Sequence, residues 1–489
     1  MYKNIGSLLI ERKVNNSNLL LNHKNRHLSH KELEIESNKC ANFLLNKGIS
    51  KGDRIGICME NSIELICIIF AILKIGAIYV PIDRNKKMVQ INYILSFTET
   101  KILFTDNKYV GEECDRNVES VFICENYKNL ISEFDNTISK NIEVFKEDPA
   151  YITFTSGTTG EPKGITMSHG SVISFTLDVV KRFNHTSDDR TICRTPVSFD
   201  PFLTEILPSV ISGGKIFIQN RESSLNNLLR LIQNKKITNF GCGPSLFDLM
   251  VKTEEILNKY NLSSLKEIYF GYEKMSINLL KKVQKLLPDV KFINGYGTSE
   301  TFAATTYYVC GSESRDVFIG DPIDSASIFL WHQKDNRICK NGEMGEIIIS
   351  GKTLMIGYWK NEDLTKRVIR QNPINPKEKA YFTKDFGMYI DGNIKFIGRK
   401  DSQIKINGHR INLEEIIEAV YLFNDIKEAI VYMKDGKIIC EYNRFSGLKK
   451  SDDIKEFLKN SIEDKKIPVS WIYKDKFNRN ENTKIVIPT

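Results

Sequence analysis

No C-x-x-C pair occurs among the ten cysteines, which are scattered from Cys40 to Cys440. That absence leaves neither zinc-type ligand spacing nor a disulfide framework. Buried reduced thiols are the expectation. Histidine is scarce, with seven in the chain, and only His23, His27 and His30 cluster, in "NHKNRHLSH". No carboxylate or cysteine stands beside them at ligand spacing, so the stretch reads first as a polar loop, with a metal site as the second reading. A block of one charge is missing as well. Lys and Arg number 69 against 61 Asp and Glu, which spreads a formal charge of +8 thinly over 489 residues. No basic arm for nucleic acid is visible, and the mild excess suits an acidic partner at most. Long apolar runs are lacking too. The most apolar window, "IELICIIFAILKIGAIYVPI" at 63–82, contains Glu64 and Lys74 and ends in a Pro-Ile-Asp turn. It predicts a buried helix running into a strand, not a membrane span. The N-terminus has too short an apolar run for a signal peptide. A cytoplasmic protein without membrane or nucleic-acid partners is expected.

What is present is an alternation of helix and strand patterns. "KELEIESNKCANFLLNKG" has helical periodicity and closes at Gly48; "RIGICM" follows as a short apolar strand. "SIELICIIFAILKIG" is a helix, and "AIYVPI", "KILFT" and "SVFIC" are strands at similar intervals. This rhythm argues for an α/β fold of mostly parallel sheets covered by helices. No fixed-period repeat is evident. From about residue 343 the pattern turns to hairpins, as in "GEIIISG" and "MYIDGNIKFIGR", the latter with an Asp-Gly-Asn turn. After "GRKDSQIKINGHR" a compact α+β segment begins: the helix "NLEEIIEAVYLF", a hairpin around Lys434-Asp435-Gly436, and the helix "SDDIKEFLKNSI". The expected division is a large domain over 1–398 and a small mobile one over 399–489, joined by a short hinge.

The densest chemistry lies in "TFTSGTTGEPKGI" at 153–165. The nucleotide-hydrolase pattern G-x-x-x-x-G-K-[ST] does not match: Gly157 and Gly160 are three apart, and Gly164 follows Lys163. Yet glycines that turn N–H groups outward, the hydroxyls of Thr155, Ser156, Thr158 and Thr159, and the charge of Lys163 suit an anion. The bland alternative is a polar hairpin loop after the strand "AYITFT".

The run "FTSGTTGEPKG" resembles the phosphate-binding signature of the adenylate-forming superfamily, which comprises acyl-CoA synthetases, luciferases and the adenylation domains of nonribosomal peptide synthetases. Further motifs follow in family order: "LSHKEL" at 28–33, "LKIGAIYVPID" at 73–83, "SFDP" at 198–201 and "NGYGTSET" at 294–301. Then come "GEIIISGKTLMIGYW" at 345–359, "YFTKDFG" at 381–387, "GRKDSQIKINGHRINLEEII" at 398–417 and "NTK" at 482–484. The resemblance thus spans nearly the whole chain. The second motif, with Tyr79 before Val-Pro-Ile-Asp, is more typical of amino-acid-activating domains and D-alanyl carrier protein ligases than of fatty acyl-CoA synthetases. The resemblance implies a large domain of helix-covered sheets with a small barrel-like part, and a mobile C-terminal lid.

It also implies two half-reactions, with ATP and Mg²⁺ as cofactors. A carboxylate attacks the α-phosphorus of ATP, releasing pyrophosphate, and a thiol then attacks the acyl carbon; such chemistry rests on positioning and charge stabilisation. By this resemblance Thr155, Ser156, Gly157, Thr158, Thr159, Gly160 and Lys163 hold the leaving pyrophosphate. Glu300 binds Mg²⁺ as a hard oxygen ligand. Asn294 and Tyr296, with Gly295, Gly297 and Ser299 beside them, meet the adenine and its nucleotide, and Asp385 and Arg399 meet the ribose. Lys484 bridges the substrate carboxylate and the α-phosphate, and Asp401 is the hinge on which the Lys484 face exchanges for the Lys405–Gly408 face. Taken alone, Glu300, Asp385, Arg399 and Lys484 would each read as surface charges. Three departures stand out: Thr298 where Pro is usual, Lys384 where Gly precedes Asp385, and Tyr272 where Gly precedes Glu273.

For the substrate, Asp200 matches the aspartate that grips an α-amino group. It competes with a plain helix start, since Asp is a favoured N-cap and Pro a favoured first residue. The other pocket positions carried over are Pro201, Thr204, Gly241, Tyr269, Gly271, Gly295, Ala303 and Ala304. None is charged, so a neutral amino acid is expected and a charged side chain would lack a partner. The sequence ends five residues after Lys484 without a G-x-D-S-type serine, so the phosphopantetheine thiol is expected on a carrier protein in trans. The alternatives are an acyl- or aryl-CoA ligase and a catalytically idle scaffold.

Overall fold

The computed structural model describes residues 2–9, 19–86, 88–106, 110, 118–122, 126–140, 142–155, 163–220, 223–271, 275–399, 403–406, 409–434, 437–462, 467–479 and 485. Three large sheets organise them. A seven-stranded sheet runs in the order Gly357–Tyr358, Lys163–Ser168, Pro149–Thr155, Ile78–Pro81, Arg54–Cys58, Thr100–Thr105, Glu119–Phe122. It is parallel from Pro149–Thr155 to Glu119–Phe122 and antiparallel at the other edge. A nine-stranded sheet has a parallel core of Lys291–Tyr296, Glu267–Gly271, Asn239–Cys242, Arg190–Cys193, Lys215–Ile218 and Leu19–His23, closed by antiparallel edge strands. The parallel pairs follow from short apolar strands joined through helices, as the alternation predicts.

The apolar window explains itself here. Ile63–Lys74 is a helix capped by the Ser62 hydroxyl, and every residue but Glu64 is buried. It sits in the main core with residues of His169–Arg182 and Pro201–Ser212. Among the described residues no helix is long and apolar enough to cross a membrane. Lys74, buried at its end, is satisfied by Ser37 Oγ at 2.8 Å and Asn38 Oδ1 at 2.7 Å. The eight described free cysteines are all buried, as expected of reduced thiols.

The histidine cluster is not a loop. Leu19–His23 and Arg26–Ser29 form a hairpin, and His30 is the buried first residue of the helix His30–Asn46. Ser29 and Glu32 close a capping box there. That exchange satisfies two orphan donors and starts the helix where the histidines end.

The third sheet is antiparallel: Arg337–Ile338, Ala326–His332, Met344–Gly351, Lys379–Ile390 and Ile369–Gln371, with Asn393–Arg399 also on Lys379–Ile390. No closing pair joins its ends among the described residues, so the barrel-like part is an open sheet there. Its hairpin turns on Asp391 and Gly392, both at positive φ, the conformation a two-residue turn requires. Beyond it, Ile426–Lys434, Lys437–Arg444 and Ser470–Tyr473 form a separate three-stranded sheet. That sheet carries its own core with Leu413–Leu422 and Asp452–Lys459.

Candidate active site

Parallel strands of the nine-stranded sheet line one cavity along their length, Thr191 and Asn239 standing near strand starts and Gly295 near a strand end. Its lining includes Gly241 from Asn239–Cys242, Tyr269 from Glu267–Gly271 and Gly295 from Lys291–Tyr296. Thr204, Ala303 and Ala304 line it too. Six of the expected substrate positions therefore border a single hollow. Gly271 lies at the wall behind: a Cβ there would sit 2.4 Å from Gly295 O. Neighbouring strands can approach this closely only without a side chain.

Asp200 and Pro201 stand at the start of the helix Pro201–Ser212. Pro201 is its first residue, as the sequence suggests, but the Asp200 side chain makes no capping bond. Its backbone is already helical, at φ −51° and ψ −37°. The capping explanation of this aspartate therefore fails. Oδ1 is buried with no hydrogen-bond partner. Burial pushes the carboxyl up to about 6; the Ser299 hydroxyl opposes that rise and the nearby Glu300 charge adds to it. Because Asp200 is helical, Thr204 and Pro208 follow on its stripe of the helix, and both line the cavity. Two stacked tyrosines, Tyr79 and Tyr151 (centroids 5.2 Å apart), flank the same carboxyl electrostatically, and Tyr151 Oη is likewise buried without a partner.

Tyr269 does not swing freely. Its hydroxyl donates to Glu267 Oε2 at 2.7 Å, and its ring meets Phe183 edge-on at 5.1 Å. One cavity residue was invisible to the motif comparison. Glu205 lines the hollow, which corrects the expectation that no charge does. Its Oε2 accepts from Arg194 N at 2.8 Å and Thr195 N at 3.0 Å, and Oε1 accepts from Thr195 Oγ1 at 2.7 Å. Burial pushes it up to about 7 against those donors. The signal available in the sequence was an acid among buried Phe202, Leu203, Ile206 and Leu207 on one helix.

The nucleotide positions gather beside this cavity. Asn294 is buried, and its Nδ2 donates to Phe318 O at 2.8 Å, which leaves Oδ1 as the acceptor. Tyr296 Oη donates to Asp385 Oδ2 at 2.8 Å, tying a residue expected at the adenine to one expected at the ribose across two sheets. Asp385 is buried and in register with Arg399 on the adjacent strand. Its neighbour Lys384 is exposed and sits at φ +62°, a left-handed conformation natural to glycine. Lys384 thus points its charge to solvent instead of toward Asp385.

Glu300 is the middle residue of a 3-10 turn, Ser299–Thr301, that starts from a capping box between Thr298 and Thr301. The threonine that departs from the usual Pro has a local role here. Glu300 Oε1 accepts from Tyr358 Oη at 2.8 Å. The Lys163 ammonium lies 5.9 Å from the Tyr358 ring, a weak cation–π contact. Phe302 and Ala303 follow at φ +53° and +56°. Two successive non-glycine residues in that region cost on the order of 1–3 kcal/mol each. Phe302 is held there by full burial and an edge-on contact with Phe175 at 4.9 Å. Gly297 is forced: a Cβ on it would fall 1.7 Å from Ala303 O.

Thr155 pairs with Lys163 at the mouth of an antiparallel hairpin. Ser156, Gly157, Thr158, Thr159 and Gly160 lie outside the described residues, as do Tyr272, Asp401, Lys484 and the pair 407–408. No group of three or more metal-ligating His, Cys, Asp or Glu occurs among the described residues.

A cavity lined by parallel strands, on three large sheets with a separate α+β unit, is the architecture of the adenylate-forming enzymes. The family described as AMP-binding enzyme matches residues 11–359, and the chain belongs to it. It is 33% identical over 423 residues to Tyrocidine synthase 3 of Brevibacillus parabrevis, covering 84% of this chain and 6% of that protein. The chain thus spans a small part of that relative's length. Klebsiella oxytoca NpsA in complex with 3-hydroxyanthranilyl-AMSN superposes with a TM-score of 0.89 at 23% identity, covering 99% of this chain and 98% of that one. A structure described as NpsA-ThdA, an artificially fused Adenylation-PCP di-domain NRPS, gives 0.73 at 24% over 96% and 93%. The anthranilate CoA ligase AuaEII in complex with anthranoyl-AMP gives 0.87 at 21% over 99% and 96%.

Proposed function

We propose that this chain activates the carboxylate of an amino acid. The carboxylate attacks the α-phosphorus of ATP, pyrophosphate leaves, and the aminoacyl adenylate yields its acyl group to the phosphopantetheine thiol of a carrier protein. The observation that carries the amino-acid reading is Asp200, whose buried Oδ1 has no hydrogen-bond partner and which immediately precedes the helix that presents Thr204 and Pro208 to the cavity. Leaving such an oxygen unpaired is costly, and a substrate ammonium would satisfy it. Pro201, Thr204, Gly241, Tyr269, Gly271, Gly295, Ala303 and Ala304 then shape the space for the side chain. The residues present also suit ATP and Mg²⁺: Asp385 and Arg399 for the ribose, Asn294 and Tyr296 for the base, and Glu300 as the oxygen ligand. Bound Mg²⁺ supplies charge neutralisation at the phosphates. Ser156–Gly160 and Lys163 hold pyrophosphate, and Lys484 neutralises the charge that builds in the first transition state.

Support for a carrier protein comes from the likeness to a tyrocidine synthase and to the fused Adenylation-PCP protein. A CoA ligase acting on an aryl acid is the second reading, favoured by the likeness to AuaEII. ATP–pyrophosphate exchange with a panel of amino, aryl and fatty acids separates the two, followed by mass analysis of transfer to a phosphopantetheinylated carrier or to CoA. Amino-acid-dependent exchange with carrier loading is the expected result. Exchange only with acids that lack an amine overturns the proposal, and none at all points to a scaffold.

A further inference from the structure

Glu205 is the buried acid that the proposed roles do not use. It lies on the face of Pro201–Ser212 that also presents Thr204, Pro208 and Ser209 to the cavity. Both its oxygens are engaged: three N–H and O–H donors come from Arg194 and Thr195, and the Cys193 thiol also meets the carboxyl. Arg194 and Thr195 begin the connection from the strand Arg190–Cys193 to Asp200. Thr195 is tied a second time, its carbonyl accepting from Asn61 Nδ2 at 2.9 Å. One carboxyl thus clamps the start of a short connection that ends at Asp200, whose Oδ1 has no partner. The same Glu205 borders the hollow at Gly241. A Cβ there would meet only Oε1, at 3.4 Å, so the missing side chain leaves that oxygen facing the space.

Building on the amino-acid reading, we propose that Glu205 is a positioning residue, which fixes the 194–200 connection so that Asp200 meets the substrate's amine. Its exposed oxygen makes the cavity reject substrates with anionic side chains. A carboxylate brought beside Oε1 would meet a like charge on the ionised form of Glu205. Side chains without negative charge meet no such conflict. This acid is distinct in role from Asp200: it touches backbone, and its effect on the substrate's amine runs through the connection.

The test uses the full chain and ATP–pyrophosphate exchange. The probes are the amino acid giving the strongest exchange in a panel of the twenty, and the carboxylic acid of the same skeleton lacking its amine. In the wild type, the amino acid exceeds its amine-free analogue, and aspartate and glutamate give no exchange. Glu205→Gln raises KM for the amino acid at least tenfold and leaves KM for ATP within twofold. Its preference for the amine falls by the same factor. Thr195→Val removes one of the three donors and moves both quantities the same way, by less. This second variant keeps the test open should Glu205→Gln fold poorly. Strong exchange with aspartate or glutamate overturns the proposal. Equal rises in both KM values with an unchanged amine preference also overturn it, since Glu205 is then merely structural. A wild type that prefers the amine-free acid removes the amino-acid reading itself, and the proposal with it, before any variant is made.

Discussion

Asp200 shows how a residue's surroundings separate two readings that its sequence context leaves tied. An aspartate before a proline at a helix start suits a cap and a ligand equally. The side chain makes no cap bond, and one oxygen is buried and unpaired. A pH dependence follows. With its carboxyl raised to about 6, an increasing fraction is protonated below that pH and cannot pair with an ammonium. KM for the amino acid should therefore rise about tenfold for each further unit of acid. For stability the sign is opposite. A carboxyl raised above its unfolded value stabilises the fold most at low pH, and that contribution is lost as pH rises through about 6. Asp200→Asn should accordingly stabilise the empty protein at neutral pH, by on the order of 1 kcal/mol, in thermal unfolding. Lys384 offers a second case. It is exposed at φ +62°, where glycine carries no steric cost, so Lys384→Gly should raise the midpoint by roughly 0.5–1 kcal/mol equivalent. A drop would mean that the lysine has a contact which repays its conformation.

At the scale of elements, the site is a product of close backbone approach. The turn carrying Glu300 folds back so tightly that Gly297 faces Ala303 O, and Phe302 and Ala303 accept left-handed backbone. Gly297→Ala should cost several kcal/mol, or about 100-fold or more in exchange rate, because the obstacle is backbone. Gly342→Met, where nothing lies within 4 Å, should spare exchange and cost only the strain of its positive φ. Most strands and helices were legible in the sequence because their patterns are local: apolar runs of four to eight residues and helices with clear caps. The histidine stretch misled because polar residues can lie on an edge hairpin as readily as in a loop. Glu205 stayed hidden because no spacing rule reveals a carboxyl whose donors come from the preceding connection. The gathering of the expected substrate positions around one cavity was legible only through motif resemblance, since most of them are glycine or alanine and none is charged.

At the scale of the molecule, the C-terminal unit touches the large one through a few polar contacts. Asn278 Nδ2 donates to Tyr421 O at 3.4 Å, and the Lys282 ammonium lies 3.5 Å from the Phe445 ring centroid. The proposed rotation about Asp401 between the proposed half-reactions would require such contacts to break and re-form. Asp401→Pro should therefore slow thiol transfer while leaving exchange near the wild-type rate; unchanged transfer would remove the hinge assignment. Lys484→Ala should abolish exchange yet leave transfer from pre-formed adenylate largely intact, and equal loss of both would remove its assigned role. The most direct measurement is the exchange preference for an amino acid over its amine-free analogue, taken in the wild type and in Asp200→Asn. The expected result is a preference of at least 100-fold that collapses in the variant. A preference that is absent in the wild type, or that survives the substitution, would contradict amino-acid activation at this site.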